Sequence, residues 1–292
     1  MGAGNDAMKA AEGRFAEWVA AIEGALAPGE RYTATCAGEA TDFARLNRGK
    51  VRQAGSVSQN ELSIRLVRGA RHAEHTLAMS GEARSDRDAI ADAIGGLRGA
   101  LPDLADDPHL LLADRVESTR VERAGALPAA EAIVNEVLAA AHGLDLVGIY
   151  AAGPVWRGFA NAEGQRNWHA AETFNLQWSL YDRADKAVKS AYAGFAWDRG
   201  EFATRMMAAR ERLALVARPA IALAPGRYRA FLAPSAVDEI ASILGWGGFS
   251  ARALDANTVE ARWQIENGYY MYRDKFKFNA EPATVKLGEP KF

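Results

Sequence analysis

Two long stretches of this 292-residue chain alternate apolar and polar residues, and this period of two most limits the possible folds. The first stretch spans residues 30–80, with Leu62, Ile64 and Leu66 as its clearest alternating positions and Gly49 and Gly69 among its breaks. A period of two places successive side chains on opposite faces of a strand. We therefore expect an antiparallel meander here.

The second stretch spans residues 155–195 and follows the strand-like run DLVGIYAAG. Its segments GFA and RNWHA flank the turn-forming residues 161–164, and FNLQWSLY is joined to AVKSAYAGFAW across residues 182–186. Short polar connections between alternating runs are typical of hairpins. This stretch predicts two successive hairpins.

Helices are indicated between and around these stretches. Apolar residues at helical spacing predict an amphipathic helix over residues 5–27, closed by Pro28. Another helix lies between Pro128, placed in its first turn, and Gly143, just past its end. Three further helix starts are predicted from Ser or Asp followed three residues later by an acid, namely Ser85 with Asp88, Asp198 with Glu201, and Ser235 with Asp238. The run PGRYRAFLAP reads as a short strand before the last of them.

The order of these elements shows no regular alternation of strand and helix, so a doubly wound parallel sheet is not expected. The sequence instead favours an α+β fold in which antiparallel sheets pack against helices, with a short β-rich C-terminal appendage.

Charge and hydropathy exclude some partners. The chain has 35 basic and 37 acidic residues and a formal net charge of −2, so it has no excess of positive charge to hold a nucleic acid backbone. It also has no apolar run of 18 residues, and its N-terminal segment carries acids through its apolar part. We expect no nucleic acid partner, no membrane partner and a cytoplasmic location.

Motifs that carry chemistry are missing. Cys36 is the only cysteine, which excludes an internal disulfide and a cysteine-built zinc site. His72 and His75 are three residues apart on an expected strand, so their side chains should point to opposite faces. The remaining histidines read as structural or surface residues and are His109, His142 and His169. The sequence has no HExxH, GxSxG, GxGxxG or GxxxxGK[ST] motif, and we predict no catalytic, cofactor-binding or metal-ligating residue and no cofactor.

Several long segments resemble the TldD/PmbA family, described as predicted zinc-dependent peptidases or their inactivated homologues. They are DFARLNRGKVRQAG, DLVGIYAAGPVWRGFANAEGQRNWH, SAYAGFAW and PGRYRAFLAPSAVDEIASILGWGGFS, and the similarity covers residues 15–250. The resemblance implies a dimer that encloses a large cavity for extended peptide. In active members it also implies a helix with HExxxH and a cysteine that completes a zinc site.

The helix expected at residues 235–244 is the counterpart of that zinc helix, and it holds Glu239 but no histidine. The chain also stops before the family's C-terminal half. The resemblance therefore implies an inactivated member, in which Glu239 is a relic of the motif and no catalytic residue is carried over. It further implies an N-terminal α+β domain at residues 1–125 and a truncated middle part at residues 126–252.

The tail is different in character. ALDANTVEARWQIENGYYMYRDKFKFNAEPATVKLGEPKF is dense in aromatic residues and resembles the start of the immunoglobulin-like amino-terminal domain of the thiol:disulfide interchange protein DsbD. The cysteine pair that this domain uses is absent here, so the resemblance implies no redox activity. We expect residues 253–292 to be a fragment that is not an independent domain, because so short a piece buries too little surface to fold alone.

These observations leave three functional hypotheses open. The first is a non-catalytic TldD/PmbA-type homologue or subunit in peptide or protein processing, as a homodimer or paired with an active family member, with extended peptide as ligand. The second is a fragment of an active zinc metallopeptidase whose metal ligands are missing from this chain. The third is a structural or interaction module with no peptide role.

Overall fold

The computed structural model describes residues 3–113, 115–183, 186–243, 250–255 and 258–262. The chain divides into two compact units, Met1–Ala222 and Leu223–Phe292. The first unit contains four helices and seven strands among its described residues, and the second contains one helix and a hairpin. This α+β content, with a large antiparallel sheet, confirms the predicted fold class.

The first unit is built around one seven-stranded sheet. In chain order its elements are α1 (Ala3–Ala25), β1 (Glu30–Asn47), β2 (Lys50–Arg68), β3 (Arg71–Ala78), α2 (Ala83–Ala100), β4 (Thr119–Arg123), α3 (Ala130–Ala140), β5 (Asp145–Asn161), β6 (Arg166–Arg183), β7 (Lys186–Gly194) and α4 (Arg199–Val216). The meander predicted for residues 30–80 is β1 to β3, and the two predicted hairpins are β5 to β7. Both predictions are confirmed.

The strand order is β3-β2-β1-β5-β6, and two strands share the outer side of β6. β7 pairs antiparallel with the second half of β6, from Phe174 onward. β4 pairs with the first half in parallel, Thr119 opposite Asn167. Residues 119–123 were not expected to form a strand, because five mostly exposed residues give no clear alternation.

All four helices of this unit pack against one face of the sheet. One cluster joins the strands to α1 and α2, around Trp156 and Trp168, and the other joins them to α3 and α4, around Tyr150 and Trp178. Both clusters use the even-numbered positions of β1, β5 and β6, so they lie side by side on the same face. The opposite face, called the open face below, carries the odd-numbered positions.

Helix α2 begins differently from the expectation. Ser85 lies inside α2 and makes no cap, because the helix begins at Ala83 after Glu82. The side chain that organises this turn is Asp86, which is buried and accepts hydrogen bonds from Ser80 N (2.9 Å), Ser80 Oγ (2.7 Å) and Gly81 N (3.1 Å). It also accepts one from Trp18 Nε1 of α1 at 3.0 Å. A tertiary contact therefore replaces the local cap.

Helix α4 follows its sequence signal. The side chain of Asp198 accepts a hydrogen bond from the backbone N–H of Glu201 at 2.9 Å, as the predicted cap requires. Phe202, Met206 and Leu213 are buried, as expected for its apolar side, whereas Val216 is 40% exposed.

The second unit contains α5 (Pro234–Ile243) and a hairpin of β8 (Ser250–Asp255) with β9 (Thr258–Arg262). The strand predicted for PGRYRAFLAP is wrong, since residues 225–233 form neither strand nor helix. The predicted cap at Ser235 is also wrong, because Val237 N donates to the carbonyl of Ala233 and places Ser235 inside α5. The apolar side chains of this region find no buried surface, and Phe231 is 90% exposed. The aromatic tail beyond Arg262, with Trp263, lies outside the described residues.

Candidate functional site

The outer edge of β2 is unpaired along half its length. β3 pairs only with residues from Glu61 to Arg68, so residues 51–59, named the edge segment, have no partner strand on that side among the described residues. Eight of these nine residues are exposed, and Val57 is half-buried. Such an edge is a template for pairing with a further extended chain.

One hydrogen bond fixes which backbone groups the edge segment presents. Met79 N donates to the carbonyl of Asn60 at 2.9 Å, so the polar backbone groups of Asn60 point outward. In an antiparallel pair the N–H and C=O of one residue point to the same side and successive residues alternate. Regular pairing runs from Asn60 down to Gln53, so the residues with outward N–H and C=O groups are Ala54, Ser56 and Ser58.

The edge segment is held in place at the tip of the β1-β2 hairpin. The two tip residues, Arg48 and Gly49, have φ angles of 54° and 65°. Positive φ at both residues gives a two-residue turn whose twist matches that of the flanking strands. Gly49 N donates to the carbonyl of Leu146 at 3.0 Å and so attaches the tip to the start of β5. The tip of the long hairpin is thereby attached to the neighbouring strand.

Side chains add cross-strand contacts under the edge segment. Ser56 Oγ donates to Asp42 Oδ1 at 2.5 Å, and Gln59 Nε2 donates to Glu39 Oε1 at 2.6 Å. Gly55 lies against the Phe43 ring. A Cβ at this position would lie 3.1 Å from the nearest atom of the ring. These contacts stiffen the strand without covering its outer edge.

A shallow depression on the open face adjoins the hairpin tip. It encloses about 460 Å³, and three cations line it: Arg45, Arg52 and Lys189. Apolar surface comes from Val147 and Ile149, which are 37% and 40% exposed. No aspartate or glutamate is among the lining residues that the structure describes. We call this feature the tip depression.

A β-bulge connects the tip depression with the edge segment. Arg45 pairs with Gln53, but the next residue, Leu46, pairs with Val51, so Arg52 is the extra residue of the bulge. Bulges change the direction in which a strand's side chains point. Arg52 accordingly belongs to the edge strand and also lines the tip depression.

The histidines and the cysteine are not brought together. His72 Nε2 lies 3.1 Å from Asp107 Oδ2, whereas His75 lines a separate surface beside α2, in agreement with opposite faces of β3. Cys36 is buried, and burial raises the pKa of its thiol to about 12. Among the described residues, no three His, Cys, Asp or Glu side chains are grouped so that they could hold a metal ion.

Glu239, the expected relic of a zinc helix, lies exposed on α5. No described helix of the chain has the length and apolar character needed to cross a membrane. The assignment of no catalytic, cofactor or metal residue therefore stays a prediction, as do the domain boundaries at residues 125 and 252.

Comparison with solved structures shows the class of fold. The fold is similar to that of TldE from Thermococcus kodakarensis, at a TM-score of 0.51 and 11% sequence identity. The similarity covers 66% of this chain and 45% of the TldE chain, so this chain spans less than half of that protein. It confirms at the level of fold the resemblance inferred from the sequence.

The tail matches a different protein. The family model for the N-terminal region of the thiol:disulfide interchange protein DsbD matches residues 247–292. DsbD from Ralstonia nicotianae is 51% identical over 37 residues, which are 13% of this chain and 6% of the relative. The resemblance predicted for the tail is confirmed over this short range, most of which lies outside the described residues.

Neither the edge segment nor the tip depression was predicted from the sequence. The signal was present in NRGKVR, where a glycine turn is surrounded by basic residues. It was read only as part of a strand boundary and of a family resemblance, because strand pairing and the bulge are needed to place Arg52 beside Arg45 and Lys189.

Proposed function

We propose that this chain is a non-catalytic subunit of TldD/PmbA type that holds polypeptide in an extended conformation for processing by an active partner. The observation that carries this proposal is the edge segment, which is attached to the sheet at its hairpin tip and has no partner strand on its outer edge among the described residues. An extended peptide that adds to such an edge gains main-chain hydrogen bonds whatever its sequence. The fold shared with TldE supports the assignment to this type.

The side chains of the edge segment suit this role. Ala54, Gly55 and Ser56 are small, so they leave room for varied side chains on both faces of an added strand. Natural proteins protect edges with charge, proline or a covering element. In the edge segment the only charged residue is Arg52, and no proline occurs there.

We further propose that the chain works in the cytoplasm as a homodimer or as a heterodimer with an active family member. Light scattering of the purified chain, alone and after co-expression with such a member, measures the mass of the assembly. A monomer under both conditions overturns this part of the proposal and leaves peptide binding to be judged separately.

Peptide binding is tested by calorimetry with an unstructured peptide of about twelve residues. We expect the wild-type chain to bind it and the Ala54→Pro variant to lose most of this affinity, because proline removes an outward N–H that is not used within the sheet. Ala54→Thr keeps the N–H at the same exposed position and is the matched control.

A second control changes only the ligand. N-methylation of alternate peptide residues removes the hydrogen-bonding groups on one side of the peptide, and methylation of the intervening residues removes those on the other. We expect only one of the two peptides to bind. Equal binding of both, or no binding of the parent peptide to the wild-type chain, overturns the proposed function.

A further inference from the structure

The tip depression points to a preference for acidic peptides. We propose that Arg52 and Arg45 bind the carboxylate of an aspartate or glutamate in an extended peptide paired with the edge segment. This inference rests on the proposed function and specifies its substrate class. Its evidence is the geometry of the bulge and the charge of the depression.

The cations of the tip depression are not neutralised. Arg45 makes one long hydrogen bond of 3.5 Å with the amide of Gln53 and lies 5.9 Å from the centre of the Phe43 ring, neither of which supplies a negative charge. None of the described residues forms an ion pair with Arg52 or Lys189. Elsewhere on this unit arginines have acidic partners, as Arg65 does in Glu74 and Arg120 in Glu12. The depression is therefore a local excess of positive charge on a chain whose net charge is −2.

The spacing between strands allows one side chain of a bound peptide to reach both Arg45 and Arg52. Neighbouring strands lie about 4.8 Å apart, so a strand added to β2 lies about 10 Å from β1, which carries Arg45. The side chains of a glutamate and an arginine together span this gap. Arg52 is nearer still, because it belongs to the edge itself and already lines the depression.

The ligand chemistry follows from the groups present. Arginine presents a planar fork of donors that matches a carboxylate. Val147 and Ile149 supply apolar surface on β5, one strand beyond Arg45, and so separate this arginine pair from Lys189. Lys189, farther along the depression, contributes to the positive field that attracts an acidic segment.

The test uses the full chain and two peptides that differ only in Glu or Gln at alternate positions. By calorimetry at low ionic strength, we expect the Glu peptide to bind about tenfold more tightly than the Gln peptide, which is a change of roughly 1.4 kcal/mol. Arg52→Gln should lower the affinity for the Glu peptide and so remove most of this difference. Arg84→Gln, a matched change of an exposed arginine on α2, should alter neither affinity.

The outcomes separate this inference from the proposed function. Equal affinity of the wild-type chain for both peptides overturns the inference alone, as does an equal loss of both affinities in Arg52→Gln. Binding of neither peptide overturns both proposals. A single-stranded oligonucleotide that binds more tightly than the Glu peptide, and through Arg52, overturns the assignment of this site to peptide.

Discussion

The backbone N–H of Gly49 donates to the carbonyl oxygen of Leu146 at 3.0 Å, and this bond attaches the tip of the β1-β2 hairpin to β5. Arg48 and Gly49 both have positive φ angles, which cost little for Gly and Asn and more for other residues. The orientation of the edge segment therefore depends on a strained two-residue turn.

This turn gives the first prediction. Arg48→Asn should stabilise the chain by about 0.5 kcal/mol, because Asn tolerates the left-handed conformation. Gly49→Ala should destabilise it by about 1 to 2 kcal/mol, because Ala is strained at this φ and its Cβ would lie 3.3 Å from the Leu144 carbonyl. Urea unfolding followed by circular dichroism measures both. Effects of the same sign in the two variants would contradict the assigned geometry.

Asp86 and Ser85 give a second prediction with an internal control. Asp86→Ala removes the acceptor of the buried Trp18 Nε1 and of the N–H groups of Ser80 and Gly81, and should destabilise the chain by about 1 to 3 kcal/mol. Ser85→Ala at an exposed position should change stability by less than about 0.5 kcal/mol. A larger loss of unfolding free energy for Ser85→Ala would contradict this structure and support Ser85 as the cap of α2.

The pair Glu30–Arg98 gives a prediction about pH. Arg98 donates to both carboxylate oxygens, at 2.7 and 2.8 Å, and these hydrogen bonds hold the pKa of Glu30 below its ordinary value of 4.5. A lowered pKa in the folded state stabilises the protein above the unfolded-state pKa, and this stabilisation is lost as pH falls through the folded-state pKa.

We therefore expect Glu30→Gln to be less stable than the wild-type chain at pH 7, with a gap in unfolding free energy that narrows below about pH 4.5. Some acid sensitivity should remain in the variant, because the pKa of Asp107 is also lowered, by the N–H of His109 and by His72. Glu17→Gln, at an exposed site on α1, is the matched control. A gap independent of pH would show that Glu30 contributes through its shape and not its charge.

Cys36 should be unreactive in the folded chain. Its side chain is buried on β1, and burial raises its pKa to about 12, so almost no thiolate exists at pH 8. With a disulfide reagent such as DTNB, we expect modification at the rate of unfolding, accelerated by urea in proportion to the unfolded population. Rapid stoichiometric reaction in buffer would contradict this burial.

Limited proteolysis of the full chain tests the boundary between the two compact units. Residues 218–232 are exposed and form no helix or strand. Trypsin should cut first after Arg227 and Arg229, since cleavage after Arg218 is blocked by Pro219, and should leave a resistant fragment that contains α1 to α4. Mass spectrometry identifies the cuts. First cleavage within residues 30–194 would contradict the compactness of the first unit.

The sequence by itself determined the local elements of this protein. Alternation fixed the hairpins, because one face of each strand had to be buried, and the Asp198 side chain capped α4 through its own local hydrogen bond. Such features depend on residues a few positions apart. The local signal at Ser85 misled, since nothing local revealed that Asp86 meets Trp18 of a distant helix.

Only the tertiary structure decided which faces and edges remain available. Three outcomes depend on how the elements pair and pack in space: α1 to α4 all cover one face, β4 adds in parallel to β6, and β3 stops short of the edge segment. The bulge at Arg52 lies inside a local hairpin, but it too is a feature of strand register. Period and composition do not encode register, so the candidate site became visible only when the strands were placed side by side.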